Sequence, residues 1–402
     1  MKKLIRFLAG SIIVFLCVLG ISQYLHLNLT ALNWENVSID KLTEAEDVDD
    51  VKEWYYDQMG ELVVGEAVTV ESISYDRYAY QQLDEDTKAV YDQILSAILN
   101  YKEKVVLSTK NKDVLELAFQ SVKADYGNLF WVNGYVYNTY TKGDQIISLE
   151  FTPSYTMSQE IKEDTQRRVD EVAMEWLSGI SNTASDYDKA KYVFETLINN
   201  AEYNVNSVDN QNMISVFLNR ETVCQGYADA AWYLLDALDI PCTVVTGMAA
   251  GEPHAWNLIY LDGAYYYMDV TWGNSKYRNL DSSQSKHINY AYLAFTTEEM
   301  GVSHTLDCVF EVPECVSNAD NYFIKEGKFF DSWDMGAIGR TIERSWDSGE
   351  EELCLKFSTP EICSQTVEYF VTEMHLTDFC WGIETVSYLI DEKVNVITFI
   401  WK

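Results

Sequence analysis

The sequence predicts an α+β protein, and three observations carry that prediction. Apolar residues recur at helical spacing in several separate windows. Strand-like runs flank tight-turn pairs at Gly143-Asp144 and Asp262-Gly263. A helix with one apolar face, expected to start near Cys224, stands between them and just ahead of the second hairpin. With 48% hydrophobic residues in 402, the chain can fill more than one core.

Taken in order, Lys2, Lys3 and Arg6 precede an apolar run over residues 7–21, the pattern of a secretory leader. No small-x-small cleavage site follows, so residues 1–27 are expected to stay as a membrane anchor, or to act as a signal segment, with the rest of the chain outside the cytoplasm. Residues 28–155 read as an N-terminal α+β domain. It has a strand at 61–72, a helix opened by Leu83-Asp84-Glu85-Asp86 and striped by Val90, Tyr91, Ile94, Leu95, Ile98 and Tyr101, and a second helix at 112–123. Strands at 134–139 and 145–151 close it as a hairpin.

The central domain, 156–310, opens with a charged helix at 157–179 and another at 185–199, followed by a polar loop at 204–212. A small C-terminal α+β domain, 311–402, is expected to hold a hairpin turning at Glu326-Gly327 and strands at 353–357, 385–389 and 394–401.

Charge narrows the partners. The chain carries 29 basic and 63 acidic side chains, a formal charge of -34, which repels phosphate backbones and argues against nucleic acid. Apart from Cys17 in the apolar run, seven cysteines remain, an odd number that leaves at least one thiol unpaired in an oxidising compartment. Cys224 is the candidate for that role. The others could pair in up to three bridges or serve as buried small hydrophobes, and Cys308 with Cys315 is the closest pair.

The chemistry gathers in the central domain. Thr222 and Gln225 fit a capping box, which would start a helix with Ala230, Ala231, Leu234, Leu235 and Leu238 on its buried face. Cys224 then sits in the first turn, where unpaired N–H groups and the helix dipole favour a thiolate and could hold an oxyanion. Gly226 leaves room for a segment to pack close. Pro241 ends this stretch, and a strand at 242–248 follows.

A hairpin centred on Asp262-Gly263 sets the register of the next two strands. Leu261 faces Ala264, which puts Trp256 opposite Asp269 and His254 opposite Thr271. His254 and Asp269 become diagonal neighbours on one face, roughly 7 Å apart or somewhat less between Cβ atoms, and a slip of one residue would separate them. Taken singly, Cys224 could be a core thiol, His254 a strand-end histidine and Asp269 a strand terminator. Together they make a nucleophile, a base and an orienting carboxylate. Zinc on one Cys, one His and one Asp is the competing reading, but no CxxC or HxxxH spacing supports it. No motif calls for calcium or another cofactor.

At these residues the sequence resembles the transglutaminase-like superfamily, in its bacterial exported branch. The resemblance rests on Val223-Cys224-Gln225-Gly226-Tyr227-Ala228, Ile240-Pro241-Cys242, Gly247, His254-Ala255-Trp256-Asn257, Asp262-Gly263, Tyr266-Tyr267 and Asp269-Val270-Thr271-Trp272. It implies a papain-like core, a helix packed on an antiparallel sheet, with Cys224 as nucleophile, His254 as general base and acid, and Asp269 orienting His254. Gln211 is the upstream candidate for the oxyanion site, with Trp256 and Trp272 as further substrate or oxyanion candidates. Asp239 departs from the pattern, since a glycine usually ends this helix.

The expected function is an extracytoplasmic thiol enzyme that attacks a peptide or carboxamide carbonyl, forms a thioester on Cys224 and passes the acyl group to water in preference to an amine. Its partners would be peptide or protein substrates, cell-wall peptides among them. The alternatives are a protein-cross-linking transglutaminase and a non-catalytic surface binding or scaffold protein.

Overall fold

The structure, a computed structural model, describes residues 77–274 and 287–401. It is a mixed α+β fold with antiparallel sheets flanked by helices. Asp84 caps α1 (Glu85–Leu99) by accepting from the Thr87 N–H, and Val90, Tyr91, Ile94, Leu95 and Ile98 of the expected stripe are buried, whereas Tyr101 lies past the helix end with a left-handed φ of 50°. A short β1 (Val105–Val106) precedes α2 (Lys112–Asp125), and β2 (Val132–Lys142) pairs with β3 (Gln145–Tyr155) in the expected hairpin. Asp125, at the end of α2, is buried and accepts from the Ala79 and Tyr80 N–H groups, the Tyr91 hydroxyl and the Thr243 hydroxyl. That last bond ties the first helices to the central sheet.

Two long helices follow, α3 (Gln159–Leu177) and α4 (Asp186–Asn200), each with a serine cap. A parallel two-strand pair, β4 (Glu202–Tyr203) and β5 (Glu221–Thr222), then delivers the chain to α5 (Cys224–Asp236). Behind α5 lies the central antiparallel sheet of β6 (Cys242–Ala249), β7 (Glu252–Leu261), β8 (Ala264–Met268) and β9 (His304–Leu306), in the order β8-β7-β6-β9. The Asn257 amide of β7 donates to the Ala228 carbonyl of α5 at 3.0 Å, pinning the helix to the sheet. One hydrophobic core runs from Tyr80 through α5 and this sheet to Val396.

A second sheet, ordered β10-β11-β13-β12, ends the chain: β10 (Phe329–Phe330), β11 (Glu352–Phe357), β12 (Val386–Asp391) and β13 (Val396–Trp401). Helices α6 (Met335–Ser348) and α7 (Pro360–Val367) accompany it, and a separate apolar cluster around Ile338, Leu355 and Phe399 fills its interior.

Several expectations are corrected. Glu326-Gly327 does not turn a hairpin: 322–325 forms a one-turn helix, Gly327 takes a left-handed φ of 65°, and β10 pairs in parallel with β11. The seven described cysteines are all free thiols, and the Cys308 thiol donates to the Thr246 carbonyl at 3.3 Å instead of reaching Cys315. Among the described residues no helix is long and apolar enough to cross a membrane. The anticipated leader at 1–27 and the strand at 61–72 lie outside the described residues. The membrane partner and the anchored, extracytoplasmic location are accordingly withdrawn.

Candidate functional site

Cys224 is the first residue of α5 and is partly exposed. The helix begins where the sequence predicts, but for a different reason. Val223 occupies the cap position with no side-chain hydrogen bond. The Thr222 hydroxyl is engaged with Ser215 and the Asn210 carbonyl, and Gln225 reaches forward to Asp229. The missing cap leaves the first-turn N–H groups without a side-chain acceptor, so they face whatever lies beside the thiol. Gly226 is needed here, because a Cβ would fall 2.0 Å from the Thr222 hydroxyl and 2.8 Å from the Asn212 carbonyl.

The hairpin register agrees with the expectation as far as Asn257 and Met268, but the expected pairs Trp256–Asp269 and His254–Thr271 do not form, because the chain turns into a helix at Asp269. Leu261 pairs with Ala264 and Asn257 with Met268, and the turn residues Asp262 and Gly263 take φ of 47° and 96°. Past Met268 the chain leaves the ladder, and Asp269 caps a single helical turn, its Oδ1 accepting from the Trp272 N–H at 3.0 Å. His254 Nε2 meets Asp269 Oδ2 at 2.8 Å, with both side chains buried. Since Nε2 is taken, Nδ1 is the nitrogen left for a second partner. The Cys224 thiol lies near enough to the imidazole to act on its charge.

The electrostatics of the pair are opposed and strong. Burial disfavours a charged His254, but the Asp269 carboxylate overrides it by charge and hydrogen bond, and Cys224 adds to the effect, so the imidazole is raised above its ordinary value. Burial likewise pushes Asp269 up, and the two histidines more than reverse it, holding the carboxyl well below the usual carboxylate range.

The second histidine, His304, carried no local signal in the sequence. It stands at the start of β9, where pairing with β6 brings in a segment from beyond the hairpin. Its Nε2 lies 3.0 Å from the same Asp269 Oδ2, and its Nδ1 lies 2.7 Å from the Ser303 hydroxyl. Nε2–H is the donor to the carboxylate, which can only accept, and the hydroxyl partner at Nδ1 holds the ring in place. Gly247 makes this approach possible: a Cβ there would meet the Thr305 carbonyl at 1.9 Å and the Trp256 ring at 2.9 Å.

Among the described residues, His254, Asp269 and His304 are the group with the ligand types and proximity to hold a metal ion. Their donor atoms are instead spent on one another, at 2.8 and 3.0 Å, and Asp269 and His304 show no side-chain exposure through which a substrate could reach an open coordination position. The trio is organised as a chain of hydrogen bonds.

The remaining candidates fall in two places. Trp256 stacks on His254 with centroids 5.8 Å apart, and Trp272 presents its edge at 6.4 Å, so both rings wall the imidazole. Both are buried. Gln211 is exposed and lines a cleft next to the first turn of α5, together with Gln225.

Residues 175–270, which include Cys224, His254 and Asp269, match the family described as the transglutaminase-like superfamily. The chain is a distant, low-identity relative of that superfamily. It is 24% identical over 119 residues to the kyphoscoliosis peptidase of Mus musculus, a match covering 25% of this chain and 18% of that protein. The chain thus spans less than a fifth of the curated relative's length. Two solved structures are similar in part: a candidate cysteine protease from Cytophaga hutchinsonii, 16% identical, covering 34% of this chain and 62% of that one with a TM-score of 0.23, and a TGase, 14% identical, covering 42% and 50% with a TM-score of 0.26.

Proposed function

We propose that the protein is a thiol-dependent acyl-transfer enzyme acting on peptide or carboxamide bonds, with Cys224 as nucleophile, His254 as acid and base, and Asp269 as the group that orients His254. One observation carries the proposal: a buried imidazole held by a carboxylate at 2.8 Å, with its other nitrogen available to a partly exposed thiol at an uncapped helix start. Such a combination generates a nucleophile and a proton acceptor in one place.

In the proposed cycle the Cys224 sulfur attacks the carbonyl carbon while its proton passes to His254 Nδ1. The resulting oxyanion is met by the open N–H groups of the first turn of α5, with Gln211 as the candidate side-chain donor. Collapse breaks the C–N bond, His254 protonates the departing amine, and a thioester remains on Cys224. Water, deprotonated by His254, then attacks the thioester and releases the carboxylic acid, and the thiol recovers its proton. Hydrolysis is favoured over cross-linking because water is abundant and, among the described residues, no group at the site selects an amine. Trp256 and Trp272 exclude solvent from the imidazole and so strengthen its bond to Asp269.

The test is alkylation by iodoacetamide below neutral pH, with the modified residue identified by mass spectrometry. Cys224 should react at least about tenfold faster than a free thiol. A rate no greater than that of a free thiol would overturn the assignment.

A further inference from the structure

A cleft of about 240 Å³ lies alongside the first turns of α5, lined by Gln225 and Asp229 from that helix, Lys123 from α2, Thr246 from β6 and Gln211 from the preceding loop. Gln225, the second residue of α5, directly follows Cys224, so the cleft opens beside the first turn of the helix that carries the thiol. Its size suits a single amino-acid residue and is below the roughly 300–1,000 Å³ of pockets for larger ligands.

Lys123 gives the cleft its character. It is half-buried, and its ammonium donates to the Leu129 carbonyl at 3.4 Å, the long end of hydrogen bonding. Among the described residues it makes no other hydrogen bond. Asp229 does not neutralise it directly. That carboxyl is 1% exposed and accepts from the Gln225 amide at 2.9 Å, and the two groups act on each other through space without an ion pair. Burial raises Asp229 to about 7 against the pull of Lys123 and Gln225, which makes it a weak counterion near neutral pH. Lys123 thus lines the cleft as a cation with unspent donors in a chain of formal charge -34, its pKa lowered by burial against the pull of Asp229. A shielded ammonium of this sort is stabilised most by a carboxylate, which matches its charge and takes its donors.

We propose that this cleft is a substrate subsite that receives a free carboxylate, bound by Lys123, on the residue adjoining the carbonyl that Cys224 attacks. The inference rests on the proposed function and narrows its substrates to peptides or amides with an acidic side chain or a terminal carboxylate beside the scissile bond. Both sources present the same chemistry to Lys123, and they differ in where the charge sits relative to the carbonyl.

Three thiol-directed probes of nearly equal size separate the cases: N-iodoacetyl-glutamate α-amide with a side-chain carboxylate, N-iodoacetyl-glutamine with an α-carboxylate, and N-iodoacetyl-glutamine α-amide with neither. One anionic probe should alkylate Cys224 about fivefold faster, or more, than the neutral one, and that probe identifies the source. Lys123→Met, which keeps the packed stem, should bring the ratio to about one. Asp229→Asn, which removes the competing negative charge, should retain or increase it. A wild-type ratio of one or less, or a preference that survives Lys123→Met, would overturn the subsite.

If Cys224 is sluggish towards all three probes, the catalytic assignment fails and the cleft is judged by binding. N-acetyl-glutamate α-amide and N-acetyl-glutamine are then titrated calorimetrically into the Cys224→Ala protein. Saturable binding of one of them that is lost on adding Lys123→Met supports the subsite, and no binding up to about 10 mM rejects it.

Discussion

His304 donates to the same oxygen of Asp269 that holds His254: the two Nε2 atoms lie 3.0 and 2.8 Å from Oδ2. With the Trp272 N–H on Oδ1, the buried carboxylate accepts from donors at both oxygens, and the charge and hydrogen bonds of the histidines hold it below the usual carboxylate range against its burial.

His304 is therefore expected to act as a positioning residue. His304→Ala should cost about 1.5–3 kcal/mol in urea denaturation, the scale of a hydrogen bond to a charged group. It should also shift the pH profile of Cys224 alkylation by iodoacetamide, and His304→Gln, which can still donate, should restore much of that profile. A packing role alone would lower stability and leave the profile in place.

The His254–Asp269 pair should make stability depend on pH in a defined direction. His254 is raised above 6.5, so its contribution is complete below that pH and is lost as pH climbs through the raised value. Asp269 is lowered below 3.8, so its contribution is complete above that pH and is lost as pH falls through the lowered value. Both are present in full between 3.8 and 6.5. The stability gap between wild type and Asp269→Asn should be widest in that window and should narrow on the alkaline side. Urea denaturation across pH 4 to 10 measures it, and a gap that widens above neutrality would contradict the assignment.

Cys224→Ala should abolish turnover while changing stability by about 1 kcal/mol or less, since the side chain is partly exposed and fills no core position. Amide hydrolysis assays beside thermal denaturation check the two halves. An alanine protein with full turnover would dismiss the thiol mechanism.

Gly247→Ala should reach the site through the backbone. The added methyl meets the Thr305 carbonyl at 1.9 Å, so β9 must move away from β6 and carry His304 with it. A loss of about 1–3 kcal/mol is expected from the overpacking. Cys224 alkylation should take on the pH profile of His304→Ala, which links the two substitutions through one displacement.

Much of this arrangement was legible because it is local. The Asp262-Gly263 turn fixes the register up to Met268, the residue before Asp269, and the apolar face of α5 fixes how Cys224 is presented; the last step, in which Asp269 leaves the ladder to cap a helical turn, was not legible. Asp239 takes the left-handed φ of 61° that a glycine would otherwise supply, as a short polar side chain tolerates. Long-range pairing was not legible. Thr222 and Gln225 look like a capping box, yet the Thr222 hydroxyl goes to Ser215 and Asn210, contacts set by how the preceding loop folds back over Gly226. His304 and the parallel pairing of β10 with β11 share that cause, because each depends on strands meeting far from where they lie in the sequence.

The continuity of the main core, from Tyr80 through α5 to Val396, bears on how the chain can be cut. A fragment trimmed to the matched stretch 175–270 would retain Cys224, His254 and Asp269 but lose Lys123, His304 and the Asp125 anchor to Thr243. Anyone seeking a minimal version should keep the chain from Ala79 through Val396, because what steadies the carboxylate and what lines the cleft are supplied by opposite flanks of the matched segment, and the shared core runs beyond both.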